Sequence, residues 1–530
     1  MKVILAGYNI DYETIMDIED RCEDLEELTP ETIAAAYARI SRSPRPVHEL
    51  RAAARGEVDK ARQSNRNIVF EMGHSSIAEH AVFNLDVLGV SRLLVEDIEK
   101  FRLCSYTEKS QRYVLFKDDF VIPEEIKNAG LAGPFAEVVG RQNSFYRECY
   151  EQLRPHVFAR HPELARDPAN RSLLEGWAKE DARYAIALAT ETQLGMTLNA
   201  RNLELMLRRL AAHPLKEARD LSAALYKATK SIAPSLVRYT EATDYDLLTR
   251  RELREAAAAL FKEDSPDERD RRMTGDGGGP EVEQVVQTPP GQRGDAIAPV
   301  TTLPEASRDD VFLAYVTPEA DLRLLAALLH SSSRRPLSSC LSRARRLDAG
   351  QRMNLVKTAL RHLRSHDTVL REFEYVDLLF ELTVSAGCFA QLKRHRMATI
   401  TAQGYDPGLG VTIPPSIAAI GMDESFRKLM DFTGKRYEQL RETEAAEAAS
   451  YILTNAHRRR VALKVNAREL YHIARLRADR HAQWDIRNLT ASMLAASTGS
   501  VSQLRSRNCL RPWNRPQSTS SRRPAWVSRY

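Results

Sequence analysis

The residues best suited to binding or chemistry stand in a basic run, Arg394-His395-Arg396, with Gln391 three positions before it. Guanidinium groups make paired hydrogen bonds to phosphates, and an amide side chain offers a donor and an acceptor together. These residue types fit recognition of a nucleotide, with the arginines on a phosphate and Gln391 on the edge of a base. An isolated run of this kind is more often a solvated basic stretch, so its meaning depends on its companions.

A companion lies in the same half of the chain, at residues 466–487. Asn466 and Arg468 open this segment, and Arg477 follows further along it. Its apolar residues recur at helical spacing and are Leu470, Ile473, Ala474 and Leu476. Asparagine is a preferred N-cap, so the pattern predicts a helix that begins at the Asn-Ala-Arg sequence.

The first half of the chain carries a different polar set. A short segment holds Glu108, Ser110, Gln111 and Arg112, and such a loop can offer backbone N–H, hydroxyl and guanidinium groups to one phosphate. Further candidates are His74, Ser76, Glu79, His80, Arg183, Asn199 and Arg201.

Each candidate of the first half also has a structural alternative. Glu108 and Arg112 suit an ion-paired loop, and His80 suits a satisfied core histidine. Arg183 suits a surface ion pair equally well. Asn199 suits a helix cap, with an ion pair close by.

Two kinds of element are predicted to position these residues. Residues 82–90 alternate apolar and polar types, as in a half-buried strand, and the N-terminal MKVILAGYN also resembles a strand. Both halves run in one order: strand-like segment, basic loop, long helices, then Asn-Ala-Arg opening an amphipathic helix. The pattern predicts helices with antiparallel strands, and the lack of G-x-G-x-x-G excludes a Rossmann dinucleotide site.

Composition sets the wider limits. The 530 residues carry a formal net charge of +5, which is too diffuse to indicate nucleic-acid binding. No apolar stretch is long enough for a membrane helix. Six scattered cysteines without C-x-x-C pairing indicate neither a disulfide framework nor a metal site. We therefore expect a cytoplasmic protein.

Residues 263–307 are rich in glycine, proline and charge and almost lack large apolar side chains. Such a segment cannot bury enough surface to offset its ordering entropy, so we predict a flexible linker. It separates a domain at residues 1–262 from a second domain at residues 308–502. Residues 503–530 lack periodicity and are predicted to form a disordered tail.

Taken together, these motifs resemble those of the flavin-dependent thymidylate synthase family. Its members carry R-H-R-x-x-S-x-N-E-x-S-x-R-Y with a Gln before it, an upstream H-x-[S/T]-x-x-E-H and a downstream N-A-R helix. The resemblance covers most of both halves. It implies an α+β fold of two tandem domains like the thymidylate synthase complementing protein, each a mainly antiparallel sheet with long helices.

Each half keeps only part of the family's residues, and the losses are complementary. The second half keeps the Arg-His-Arg run, its Gln and the helix arginine. Its replaced positions are Ala402, Gly404, Asp406 and Ser450. The first half keeps the Glu-x-Ser-x-Arg-Tyr loop, the histidine motif and Arg183. Its replaced positions are Asp97, Lys100, Phe101 and Leu210.

In the family, one subunit supplies the Arg-His-Arg side of each site and a neighbour supplies the Glu-x-Ser-x-Arg loop. The resemblance therefore implies a composite site from both halves. The implied catalytic residues are Arg394, Arg477 and Ser110. The implied residues for dUMP are Gln391, Glu108, Ser110, Gln111, Arg112, Arg183 and Arg477. The implied residues for FAD are Arg394, His395, Arg396, Asn466, Arg468, Ser76, Glu79, Asn199 and Arg201.

The implied activity is methylation of dUMP to dTMP, with methylenetetrahydrofolate as carbon donor and NADPH as reductant through FAD. The alternative is a catalytically inactive relative that binds FAD or a nucleotide in a regulatory or scaffold role, because the motif is broken in both halves. We expect a homodimer forming a four-domain pseudo-tetramer, with small-molecule partners but no nucleic acid or membrane. Asp406 is expected to repel phosphate from the reciprocal, degenerate site, which carries Lys100 and Phe101.

Overall fold

The computed structural model describes residues 1–11, 13–16, 29–40, 43–111, 114, 116, 118–261, 310–364, 367–479 and 482–500. The predicted linker at residues 263–307 and the predicted tail at residues 503–530 lie outside these described residues. Arg112 also lies outside them. No helix in the described part of the chain is long and apolar enough to cross a membrane.

The described strands form two four-stranded sheets of the same topology. They are β1 (Lys2–Tyr8), β2 (Val82–Ser91), β3 (Ser105–Glu108), β4 (Glu191–Asn199), β5 (Val311–Val316), β6 (Asp377–Ser385), β7 (Thr399–Ala402) and β8 (Arg458–Asn466). The first sheet has the order β1-β2-β4-β3 and the second has the order β5-β6-β8-β7. All neighbouring strands are antiparallel. The predicted α+β class and the strand at residues 82–90 are both confirmed.

Helices cover and connect the two sheets. In the first half the main ones are Glu31–Ile40, Val47–Gly56, Val58–Arg66, Arg92–Ile98, Glu124–Asn128, Ala132–Arg160, Pro162–Ala165, Arg171–Ala182, Ala200–Ala211, Lys216–Thr229 and Asp244–Leu260. In the second half they are Ala320–Ser331, Leu337–Arg346, Ala349–Leu360, Ala386–Leu392, Pro415–Ala419, Asp423–Arg441, Ala467–Arg477 and Trp484–Ser500.

The two Asn-Ala-Arg sequences begin helices as predicted. The side chain of Asn199 accepts a hydrogen bond from the backbone N–H of Asn202, and that of Asn466 accepts one from Glu469. An N-cap satisfies a backbone donor that the first helical turn leaves unpaired. Each cap directly follows a strand, so it fixes where the chain turns from the sheet into the helix that covers it.

The two halves pack against each other through equivalent segments. Ala187 forms an antiparallel bridge with Thr454. Ala187 and Thr454 are separated by the same number of positions as the capping residues Asn199 and Asn466. They are therefore equivalent positions of the two repeats, and they face each other. This is the relation expected at a two-fold axis between repeats. Buried apolar side chains from both halves form common clusters around the bridge.

Candidate functional site

Polar loops from the two halves meet beside the end of β3. The Ala386–Leu392 helix is capped by Ser385, whose Oγ accepts a hydrogen bond from the N–H of Cys388 at 2.9 Å. This helix leads into Arg394, whose Nη2 lies 3.9 Å from Oε2 of Glu108. The structure thus brings the Arg-His-Arg segment of the second half to the Glu-x-Ser-x-Arg segment of the first half within one chain.

Glu108 lies at the centre of this group, with a side chain only 2% exposed. Arg92 donates from Nη1 to Oε1 of Glu108, and the hydroxyl of Thr192 donates to the same oxygen at 3.4 Å. Burial, together with the charges of Arg183 and Arg394, lowers the pKa of Arg92 to about 10. Three guanidinium groups therefore act on one buried region, whose field favours an anion.

Three donors of this region have no hydrogen-bond partner within the described residues. They are Nε of Arg92, Nη2 of Arg183 and Nε2 of Gln111. Asn455 holds two of these residues, because its Nδ2 donates to Oε1 of Gln111 at 3.1 Å and to the carbonyl of Arg183 at 2.9 Å. An unsatisfied buried donor costs about 1–3 kcal/mol, and a bound anion would remove that cost. The residues present therefore fit a phosphate.

The surroundings of Arg183 settle one alternative drawn from the sequence. Arg183 is buried, and its Nε donates to the carbonyl of Glu180 at 3.2 Å. A surface ion pair at this position is therefore wrong. Ser110 follows Glu108 at the end of β3, where Lys109 donates its N–H to the carbonyl of Gln193 at 2.9 Å.

The residues of the Arg-His-Arg run have different surroundings. Arg394 is 52% exposed, whereas His395 is buried. Arg477 donates from Nε to Nε2 of His395 at 3.1 Å, and Nδ1 of His395 lies 3.3 Å from Oε1 of Glu469. Burial lowers the pKa of His395, so the neutral ring can accept from Arg477. In this arrangement His395 positions Arg477, and Arg394 is the member turned toward Glu108.

Arg396 and Gln391 are also held by neighbours. Nη1 of Arg396 donates to the backbone carbonyls of Arg102 and Cys104 in the first half. Nε2 of Gln391 donates to Oε1 of Gln483 at 3.3 Å. Gln391 is largely buried, and its backbone carbonyl accepts a hydrogen bond from Nη2 of Arg477 at 3.3 Å. Gln391 and Arg477 therefore belong to one connected group.

The histidine motif of the first half lies elsewhere on the sheet. Asn199 lies five residues along β4 from Leu194, the partner of Glu108, which is roughly 17 Å along the strand. Beside it, Arg201 pairs with Glu79 at 2.5 Å. The motif lines a cavity of about 440 Å³ together with Tyr37. Its members there are His74, Ser76 and His80. His80 is exposed, so it is not a core histidine.

The corresponding residues of the second half make local contacts. Arg468 pairs with Glu374 at 2.8 Å, and its Nε donates to the carbonyl of Val369 at 3.0 Å. Asn466 caps the helix that carries Glu469. The exposed Arg394 and the cavity lined by His74, Ser76 and His80 offer cationic and polar groups that fit a dinucleotide cofactor.

The reciprocal combination of segments is closed by its own side chains. Tyr405 stands where the first half has Gln111; it is buried, and its hydroxyl donates to Oε1 of Glu96 at 2.6 Å. Arg459 pairs with Oε2 of Glu96 at 2.7 Å and lies 4.2 Å above the ring of Tyr405. These three residues occupy the position equivalent to that of Gln111 and its neighbours, whose buried donors lack partners within the described residues.

Asp406 makes a contact within its own turn. It is exposed, and its Oδ1 accepts a hydrogen bond from the N–H of Gly408 at 2.8 Å, so it stabilises a turn. Repulsion of phosphate by Asp406 stays a prediction, because its carboxylate remains exposed. Tyr405 and Arg459 add a second obstacle, since they fill the position equivalent to Gln111.

Several residues of the site were missed from the sequence. Arg92 and Thr192 contact Glu108, and Asn455 links Gln111 to Arg183. The only sequence signal for Arg92 is its place just after an alternating strand. Asn455 reaches the site only through the pairing of the two halves, which no local pattern reports.

One known protein family matches most of the chain. The family model described as thymidylate synthase complementing protein matches the chain twice, over residues 25–235 and 312–498. The chain therefore belongs to this family and carries two copies of its domain.

Both long and short relatives are similar to the chain. A UPF0159 protein of Thermoplasma acidophilum is 22% identical over 472 residues, covering 83% of this chain and 86% of its own length. A flavin-dependent thymidylate synthase of Clostridium tetani is 30% identical over 214 residues, covering 40% of this chain and 82% of its own. A Helicobacter pylori flavin-dependent thymidylate synthase structure, complexed with FAD and dUMP, has 22% identity and a TM-score of 0.28, covering 46% of this chain and 100% of its own.

Proposed function

We propose that the protein is a flavin-dependent thymidylate synthase whose active site combines residues of both halves. The observation that carries the proposal is the contact of Arg394 with Glu108 at 3.9 Å, beside buried donors of Arg92, Arg183 and Gln111 that lack partners within the described residues. Such donors suit the phosphate of dUMP. The complementary losses of the two halves support the same pairing.

In this proposal Arg183, Gln111 and Ser110 bind the phosphate side of dUMP. Arg112, which lies outside the described residues, is proposed for the same role from the sequence motif. Gln391 and Arg477 bind the uracil, and the Arg477 guanidinium stabilises negative charge on a pyrimidine oxygen.

The proposed cofactor is FAD, which when bound supplies the electrons that reduce a one-carbon adduct of uracil. Arg394, with the cavity lined by Ser76 and its neighbours, would hold it. Methylenetetrahydrofolate and NADPH are the proposed co-substrates. The cytoplasm is the proposed location, supported by the free state of the four described cysteines, Cys104, Cys149, Cys340 and Cys388.

A second candidate is a nucleotide-binding relative without catalysis. Two observations favour it: His395 and Arg396 are occupied by protein contacts, and the relative matched over most of both chains is a UPF0159 protein. Release of tritium from dUMP labelled at uracil C5, with methylenetetrahydrofolate, FAD and NADPH present, separates the two. Release above a no-folate control supports the enzyme. A protein that binds dUMP but releases no tritium supports the alternative.

A further inference from the structure

A cavity between the two halves lies beside the Tyr405–Arg459 cluster. It is a cavity of about 850 Å³, within the range of volumes that small-molecule sites occupy. One wall is the turn that holds Lys100 and Arg102, and the opposite wall is β7 with the Arg396 turn. The third wall is the Asp244–Leu260 helix, which presents Arg250, Leu253, Arg254 and Ala257.

The third wall is fixed to the body of the first half. Thr243 and Asp246 form a capping box at the start of the Asp244–Leu260 helix. Asp246 also pairs with Arg208 at 3.1 Å and with Arg209 at 2.9 Å. Residues spaced by three or four positions share one helix face, so anchoring this end sets the direction in which the side chains of Arg250 and Arg254 project.

The charge of the cavity is strongly positive. Lys393 is neutralised by Glu99 at 3.0 Å, and Lys100 pairs with Asp97. Four further guanidinium groups pair with no carboxylate in the described part of the chain, and they belong to Arg102, Arg250, Arg254 and Arg396. Four uncompensated cations around one cavity favour a ligand with several negative charges.

The cavity also has an apolar wall. Phe389, Ala398 and Ile400 line it from the second half, and Leu253 lines it from the helix. Leu253 is an exposed apolar side chain on the helix. A ligand that carries both a flat organic group and a chain of phosphates matches this division.

We propose that this cavity is a second ligand site, which binds a nucleoside triphosphate. Its phosphates contact Arg250, Arg254 and Arg102, and its base packs against Ile400 and Leu253. The cavity is distinct from the Glu108–Arg394 group, because neither Glu108 nor Arg394 lines it. The proposal stands whether or not the chain catalyses methylation of dUMP.

Calorimetric titration of the full chain with ATP, with dTTP and with tripolyphosphate tests the proposal. We expect at least one nucleotide to bind more tightly than tripolyphosphate, because the apolar wall holds the base. Arg250→Glu and Arg254→Glu should each weaken nucleotide binding by about tenfold or more, since each removes a charged contact and adds repulsion. Arg254→Gln, which changes the charge less, should weaken it to a smaller degree.

Arg251→Glu is the matched control. Arg251 lies on the same helix, faces Glu255 at 3.8 Å and does not line the cavity. It should change nucleotide binding by less than about twofold, and dUMP binding and flavin content should stay unchanged in all variants. Three results would overturn the proposal: no nucleotide binding at millimolar concentration, equal effects at Arg250 and Arg251, or tripolyphosphate binding as tightly as both nucleotides.

Discussion

Tyr184 of the first half donates a hydrogen bond to Oδ2 of Asp485 in the second half at 2.8 Å. An equivalent contact runs in the opposite direction. Tyr451 of the second half donates a hydrogen bond to Oε2 of Glu217 in the first half at 2.6 Å. All four groups are buried or nearly so, and burial raises the pKa of both carboxyl groups. Separating the halves would expose these groups and the apolar clusters around them. These contacts therefore stabilise the packing of one half against the other.

The first prediction concerns the isolated halves. Residues 1–262 and 308–502 expressed separately should each be inactive in the tritium-release assay, because neither holds both Glu108 and Arg394. Losing a charge-assisted contact costs roughly 1.5–3 kcal/mol, and each half loses several. Mixing the purified halves should restore part of the turnover. Full activity from the second half alone would show that the composite site is wrong.

The second prediction compares equivalent arginines. Arg394→Ala should abolish turnover or flavin retention, because it removes the guanidinium turned toward Glu108. Arg102→Ala should have a much smaller effect on both, because Arg102 contacts Thr399 at 3.3 Å rather than the Glu108 group. The measurements are tritium release and flavin absorbance after gel filtration. Equal losses in the two variants would contradict the division of roles between the halves.

The third prediction concerns stoichiometry. Calorimetry should give one dUMP per chain, because Tyr405 and Arg459 fill the reciprocal position. Tyr405→Phe removes the hydrogen bond to Glu96 but keeps the ring, so it should leave the value at one. A value of two dUMP per wild-type chain would mean that the filled position opens on binding, and the closed-site interpretation would then fail.

The fourth prediction concerns assembly. We expect a dimer of chains by light scattering, which places four domains of this family in one assembly. Two equivalent turns support this, since each exposes an apolar side chain: Leu103 is 71% exposed and Met397 is 75% exposed. Leu103→Asp with Met397→Asp should weaken the dimer. A monomer that turns over dUMP would rule out the pseudo-tetramer.

The fifth prediction concerns pH. His457 is fully buried, its Nδ1 accepts a hydrogen bond from the N–H of Thr454 at 2.9 Å, and burial lowers its pKa to about 4. The folded state therefore binds this proton less readily than the unfolded state. Its contribution to stability is complete above pH 6.5 and is lost as the pH falls toward 4, by up to about 3 kcal/mol.

His457→Gln is the variant that checks this contribution. Between pH 6.5 and 4, urea unfolding should show a shallower fall in the free energy of unfolding for the variant than for the wild type. The carboxyl groups with raised pKa, Asp485 and Glu217, change stability in the opposite sense, but they are the same in both proteins. Parallel curves for the two proteins would show that His457 does not titrate as described.

Local patterns in the sequence were enough to predict the strands and the caps. Alternation over residues 82–90 gives β2, and the asparagines at 199 and 466 are N-caps because their side chains bond to backbone three residues on. Such features depend on neighbours along the chain. The motif spacing was also sufficient to group Glu108 with Arg394, but only through the family resemblance.

Features that depend on pairing between the halves could not be predicted in the same way. The burial of Arg183 follows from the approach of Asn455, and spacing alone left a surface ion pair as an equal alternative. The closure of the reciprocal site depends on Tyr405 meeting Glu96, which lies far away in sequence. The charge of Asp406 predicted that it repels phosphate, but the sequence did not show that its side chain also accepts a hydrogen bond within its own turn.

The bridge between Ala187 and Thr454 joins two positions that carry different residues. In an assembly of identical chains, a two-fold axis forces every substitution to appear on both sides at once. Joining the repeats in one chain removes that constraint, because each side is encoded separately. Tyr405 and Gln111 could therefore diverge, one position filling its space and the other keeping it open. In a tandem chain, one of two equivalent sites can therefore lose its original ligand, and the surface beside it can come to bind a different one.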